Sequence, residues 1–516
     1  MLKTHKFYQL FFCSILFLAI TAVSCSKDDG PHFAKPEVTI NGSDSIDLAP
    51  GETAEVRLQL KGDGGAKSVV VMKNGGFLRE YPIHATATEF IYTTEAVAEG
   101  LTEGDEVRYS FLLANNDNVD SESVPFVIKV ALYDKTLVGT TELYNLTIGE
   151  DGIVPSGTEI KLIKNRNYFL PANTTFALGS KLIIEEGVHL YVNAGEDAGI
   201  DIQGETDISG SANAPVVITS SRVLTPETPA DIGDWADFRL TGSGAGSSNG
   251  KVSYLRIEYG GDRAFRLSDV GSATQIDHVQ VFKCDGEGVM ITNGNAQLKY
   301  IVATDCVGGS YRLGDAYAGK MQFLISVNSE YFDENDDFAI REDAAPVIAN
   351  ATVLGPGPDV EDDTHGMRLR ANSAAKIYNT IIADFPRRGL RGNDNIKITD
   401  MNGATVFAHS YIMNVPTDPY RDLAVPFAGT FNTTTGDRLT NPFNNNVTKK
   451  SGSTFTLETI AGIGVADFVP DAEQASTFNP TSLDAFFTTA AFVGAVKNAA
   501  EDWTKGWVKN PDGSVR

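Results

Sequence analysis

The sequence predicts an all-β chain: a right-handed parallel β-helix preceded by a small sandwich of immunoglobulin or fibronectin type. Three observations predict the helix. Six segments can be laid over one another: VSYLRIEY from Val252, IDHVQVFK from Ile276, LKYIVATD from Leu298, MQFLISVN from Met321, IANATVLG from Ile348 and IYNTIIAD from Ile377. They recur every twenty-odd residues, the mark of a solenoid in which each repeat is one rung. Their first, fourth and sixth positions are mostly apolar and helix formers are few, so the rungs are β. The handedness follows precedent for the fold and not these residues.

Each rung continues into a second short run, thirteen residues on from its start. These runs are Phe265-Arg266-Leu267, Val289-Met290-Ile291, Tyr311-Arg312-Leu313 and Leu390-Arg391-Gly392. Two longer rungs carry the run later, as Ala339-Ile340-Arg341 and Met367-Arg368-Leu369. Their extra length lies in acidic insertions, Phe332 to Asp337 and Gly357 to Asp363. Insertions in a solenoid map to one edge of the stack, so these loops are expected to be neighbours.

Flanking apolar residues turn the middle of the second run outward. That expected column is Arg266, Met290, Arg312, Ile340, Arg368 and Arg391, with Arg341 and Arg370 close by. Stacked like charges repel unless something anionic lies over them. A carboxylated or sulfated glycan would do so, because guanidinium binds such groups bidentately. The acidic loops would also do so, by folding Asp333, Glu334, Asp336, Asp337, Glu361, Asp362 and Asp363 back onto the column. Asp333, Asp336, Asp337, Glu361, Asp362 and Asp363 are in addition the candidates for calcium, since clustered carboxylates suit a hard cation. They lack the ordered spacing of a calcium loop, and a solvated charged loop explains them equally. No other cofactor is implied.

The third position of the first run reads Tyr254, His278, Tyr300, Phe323, Asn350, Asn379, which suits a turn where rings or amides stack. His278 is read as one of that stack. The fifth position reads Arg256, Gln280, Val302, Ile325, Thr352, Ile381. It should face outward, yet half of it is apolar and would form a sticky stripe if bare. The non-repeating C-terminal segment is expected to cover it with Phe486, Phe487, Phe492, Trp503 and Trp507, unless a partner protein does. Cys284 and Cys306 occupy equivalent places in consecutive rungs, compatible with a disulfide or with an inward pair of reduced thiols.

The ends place the chain in the cell. Lys3 and Lys6, an apolar stretch from Phe7, and Ala22-Val23-Ser24-Cys25 read as an export signal with a lipobox, so Cys25 is the expected lipidation site. The apolar stretch is short and leads into Ser26-Lys27-Asp28-Asp29-Gly30, which favours a tether over a spanning helix. More than one acyl chain on Cys25 would hold the protein at a membrane. The expected organisation is a signal peptide over 1–24, a lipidated tether over 25–35 and a sandwich over 36–135. The β-helix follows over 144–399, with a closing segment over 400–516. The sandwich is read from alternating runs such as those at Glu55–Leu60 and Arg108–Leu113, with turn residues between them. It is most simply a spacer.

A formal net charge of −25, from 42 basic against 67 acidic residues, argues against nucleic acid as a partner. Scattered histidines and two cysteines in the mature body leave no zinc motif of usual spacing.

The order Gly179-Ser180-Lys181-Leu182-Ile183-Ile184-Glu185-Glu186-Gly187, Ala214-Pro215-Val216-Val217-Ile218-Thr219-Ser220, Gly233-Asp234-Trp235 and Tyr254–Gly261 resembles a family of Bacteroidetes surface β-helix lipoproteins. Phe486-Phe487-Thr488, Gly494-Ala495 and Asp502–Trp507 resemble its closing segment, and Cys25-Ser26-Lys27-Asp28-Asp29 its surface-export signal. The likeness spans roughly 160–510 and departs at Ala236-Asp237, where relatives show paired glycines. It implies an outer-membrane protein, lipid-anchored and exposed at the cell surface, and it carries no enzymatic chemistry over to these residues. The expected function is non-enzymatic binding of a glycan or envelope component through the β-helix face. A β-helix polysaccharide lyase or glycoside hydrolase is the alternative, and a structural, adhesive or partner-binding module, with an outer-membrane protein as the partner, is the second. Hydrolysis would need two carboxylates across one bond, which the sequence does not single out.

Overall fold

A computed structural model describes residues 34–516 apart from 63, 150, 196, 331–335, 342, 361–363, 371, 393–404, 417, 422–459 and 465–466. Cys25 and its leader lie outside the described residues. Among the described residues no helix is long and apolar enough to cross a membrane.

The chain divides into two units. The first, within 34–98 and 106–129, holds two antiparallel sheets, one of three strands and one of five. Strand Glu55–Lys61 alternates cleanly, with Val56, Leu58 and Leu60 buried and the residues between them exposed. That is how a sandwich strand with one wet face is written.

The second unit is a parallel β-helix. Strands Gly250–Glu258, Gln275–Cys284, Gln297–Cys306, Lys320–Val327 and Val347–Leu354 pair in parallel, each with the next. The register places Val252, Ile276, Leu298, Met321, Ile348 and Ile377 in one column inside the core, as the repeat predicted. The second runs form their own parallel sheet, eleven strands among the described residues.

Each rung bends at the third position. Tyr254, His278, Tyr300, Phe323, Asn350 and Asn379 all have φ between 51° and 61°. Left-handed backbone is costly for residues other than glycine. Stacking offsets it: ring centroids lie 4.1 Å apart for Tyr254 and His278, 4.4 Å for His278 and Tyr300, and 4.8 Å for Tyr300 and Phe323. His278 is thus one member of a ring ladder.

Cys284 and Cys306 are register partners, fully buried, and both are free thiols. Of the two readings open for them, the structure has the reduced inward pair.

The outward column of the first run is covered by the C-terminal segment, although of the five aromatics expected to do so only Trp507, with Trp503 packed beside it, joins the apolar cluster there. Val302, Ile325 and Ile381 form one apolar cluster with Val493, Ala495, Val496, Trp507 and Val508. The polar members bind its backbone. Gln280 donates to the Lys509 carbonyl at 2.8 Å and accepts from its N–H at 2.8 Å. Gln322 does the same with Thr488, at 3.0 and 2.9 Å. Arg256 donates to the Trp507 carbonyl, and Thr352 accepts from the Ala495 N–H. Glu258, also beneath this segment, takes bonds from Arg256, Lys509 and Thr219.

Candidate functional site

The second-run sheet carries the chemistry. Its inward side chains, Phe265 and Leu267, Val289 and Ile291, Tyr311 and Leu313, Phe338 and Ile340, then Met367 and Leu369, are all core. Alternation turns the residue between each pair outward. The column so formed runs Arg239, Arg266, Met290, Arg312, Ala339, Arg368, Arg391.

Two differences from the sequence reading stand out. The outward residue of the fifth rung is Ala339, and Ile340 points inward. The acidic insertion shifts the count by one, and the choice is made by Phe338, whose ring stacks on Tyr311 with centroids 4.6 Å apart. Arg239 is the first arginine of the column, one rung after the outward Asp201, and the repeat spacing does not show it. Its run, Phe238-Arg239-Leu240, is the same motif, but the long insertion between Ser220 and Phe238 breaks the spacing that would have revealed it.

Arg239 is held by Asp237 on its own strand, at 2.8 Å. Arg266 has no hydrogen bond or ion pair among the described residues, and its Nε is buried without a partner. Burial, and then the neighbouring charges of Arg239 and Arg263, push its guanidinium pKa down. Asp237 and Asp201 oppose that fall in part. Arg312 reaches back one rung to Glu287, at 2.6 Å.

A denser cluster lies at the other end, around a carboxylate of the insertion. Asp336 accepts from Arg368 at 2.9 Å, from Arg370, and from His365 Nδ1 at 3.1 Å. Burial opposes its ionisation, but the His365 hydrogen bond and the Arg370 and Arg368 charges outweigh it and hold the carboxyl well below the usual range. The Nε2 of His365 faces Arg388, and Arg391 at 3.4 Å. Arginine can only donate, so this places the acceptor lone pair on Nε2 and the proton on Nδ1. Asp336, His365 and Arg388 stand in one column, three residues before the outward position. Sequence reasoning stopped short of that column; reading each run three residues further back would have exposed it.

Asp337 faces the other way. It is fully buried and accepts from Asn328 Nδ2 at 2.6 Å, from the Ser310 N–H at 3.2 Å and from Ser326 Oγ. Burial pushes its pKa up to about 6, against those hydrogen bonds. The two described calcium candidates therefore do not share a site: Asp336 is engaged by arginines on the outside, Asp337 by hydroxyls and an amide inside. Asp333, Glu334, Glu361, Asp362 and Asp363 lie outside the described residues. Among the described residues no group of three His, Cys, Asp or Glu side chains could hold a metal ion.

Rungs in continuous parallel register around one apolar interior define a parallel β-helix protein. The chain belongs to the pectate-lyase like beta helix domain family, whose model matches residues 153–508. No curated protein matches it. Among solved structures it is similar to the catalytic domain of a GH87 alpha-1,3-glucanase in complex with tetrasaccharides, at 10% identity over 75% of this chain and 88% of that one, TM-score 0.23. It is similar to the Family 28 exopolygalacturonase of Yersinia enterocolitica at 9% identity, over 75% of this chain and 98% of that one, TM-score 0.14. Fibronectin(III)-like modules of Clostridium thermocellum CbhA match 19% of this chain at 15% identity, TM-score 0.14; the match spans 46% of that chain. At these identities and TM-scores none of the three bears on the function.

Proposed function

We propose that this protein is a cell-surface lipoprotein, acylated at Cys25, whose β-helix binds an anionic glycan without turning it over. The observation that carries the reading is the outward guanidinium column, and within it Arg266, half-buried beside Arg239 and Arg263 without an ion pair among the described residues. A guanidinium offers several donors in a fixed fork, so even Arg312, one of whose nitrogens binds Glu287, keeps capacity for a ligand oxygen. The likeness to Bacteroidetes surface lipoproteins supports the location. Calcium is not needed for this mode of binding.

The test is binding of carboxylated and neutral oligosaccharides to the full chain over a range of salt. The reading expects the carboxylated ligands to bind, and their affinity to fall as salt screens the attraction. Arg266→Gln should weaken binding and flatten the salt dependence. Equal binding of neutral and carboxylated ligands would overturn it.

A lyase is the second reading, and the Asp336, His365 and Arg388 chain is the observation in its favour. His365 would have to accept a proton at Nε2, but Arg388 and Arg391 already face that nitrogen. Binding without turnover is the better account. Elimination leaves an unsaturated sugar that absorbs in the ultraviolet, and its appearance from any bound glycan would reverse this preference.

A further inference from the structure

The outward column is not uniform. From Arg266 it runs Arg266, Met290, Arg312, Ala339, Arg368, a cation on every second rung with an apolar side chain between. Met290 and Ala339 keep only 6% and 3% exposure and stand apart from the interior cluster that holds the residues on either side of them. Strand spacing puts the alternate arginines about 10 Å apart along the axis.

Repulsion between stacked like charges does not force this alternation. Arg239 and Arg266 occupy consecutive rungs, as do Arg368 and Arg391, so this sheet holds adjacent arginines where they occur. Arg312 and Arg368 each bind a carboxylate on the rung before, Glu287 beside Met290 and Asp336 beside Ala339, and a ligand with the same period would meet the donors these pairs leave over. A pyranose ring advances an extended polysaccharide by about one strand spacing. Alternate arginines then meet alternate sugars, while the rings between them pass over the rungs of Met290 and Ala339, where the column offers no donor.

We propose that the glycan bound here is a linear polysaccharide with an anionic group on every second sugar, lying along the solenoid axis. This rests on the reading of the face as a binder of anionic glycans and adds the charge period. An anionic group on every sugar would set carboxylates over Met290 and Ala339. There they would lose water and gain no donor, a penalty that selects against the denser polymer although it carries more charge.

The experiment compares three hexasaccharide probes on the full-length protein in detergent, by calorimetry at one salt concentration. Hyaluronan carries a carboxylate on every second sugar, oligogalacturonate on every sugar, and cellohexaose on none. Hyaluronan is expected to bind about tenfold tighter than oligogalacturonate, the factor that one poorly paired polar group of about 1.4 kcal/mol produces. Oligogalacturonate binding as tightly or more tightly would overturn the charge period and leave the anionic-glycan reading standing. Absence of binding by both would overturn both.

Met290→Arg and Ala339→Arg, each checked for an unchanged melting temperature, fill the gaps in the column. They are expected to move the preference toward oligogalacturonate, and an unmoved preference in a folded variant would overturn the proposal. If either variant fails to fold, the ratio measured on the unaltered protein still decides.

Discussion

Two outward columns run up the same rungs of this solenoid and have opposite fates. The fifth position of the first run, from Arg256 to Ile381, is closed over by the C-terminal segment, and Val302, Ile325 and Ile381 are fully buried there. The middle of the second run, from Arg239 to Arg391, carries guanidiniums, several of them partly exposed. The backbone is the same in both, and the side chains decide. An apolar column with Gln, Thr and Arg among its members can order a chain segment by hydrogen-bonding its peptide groups. An arginine column offers donors and positive charge but no acceptor, which suits a negatively charged partner best. The first face is therefore part of the fold, and the second is the one the proposal assigns to a ligand.

The largest effect expected from this contrast is on the covered face. Trp507→Ala removes a fully buried indole from the cluster over Val302 and Ile381 and should cost about 3–5 kcal/mol. Urea denaturation checks it, and a loss below about 1 kcal/mol would mean the segment covers the sheet without stabilising it. Gln280→Ala strips the Lys509 peptide of both partners and should cost roughly 1–3 kcal/mol.

The next effect is one of pH, from the wall beneath the arginine face. Asp337 has its pKa raised by burial to about 6, so the folded protein holds a proton that the unfolded chain releases at lower pH. Its contribution is complete below the unfolded pKa and is lost as pH rises toward about 6. Asp337→Asn should flatten this fall, seen as denaturation midpoints that change less between pH 4 and pH 6. An unchanged slope would show that Asp337 is already ionised in the fold.

The smallest effect on stability belongs to the open face. Arg266→Gln should alter stability by no more than about 1 kcal/mol, because no ion pair among the described residues is lost and repulsion from Arg239 and Arg263 is relieved. A large loss would mean that Arg266 supports the wall, and the contrast between the faces would narrow.

The rung register was legible because Val252, Ile276, Leu298, Met321, Ile348 and Ile377 head nearly equal repeats. The cover over Ile325 and Ile381 was legible for a different reason: bare apolar columns are unfavourable, and only one non-repeating segment was rich enough in aromatics to close them. Counting failed at the insertions. It misplaced Ile340 by one residue and passed over Arg239, because a loop of variable length erases the period on its far side. The Asp336 and His365 pair was invisible for a deeper reason. Those residues are 29 apart in the chain and meet only because consecutive rungs place them side by side.

The C-terminal segment also changes how the stack should come apart. In a solenoid each repeat touches only its neighbours, so ends can fray while the middle stays folded. Here one strap is fastened to Gln280 through Lys509, to Gln322 through Thr488, to Asn350 through Phe492 and to Asn379 through Phe478. A rung beneath it can peel away only by also breaking its fastening to the strap. These coils should melt as one cooperative block, with calorimetric and van't Hoff enthalpies in agreement, where an unstrapped solenoid of this length would melt in stages.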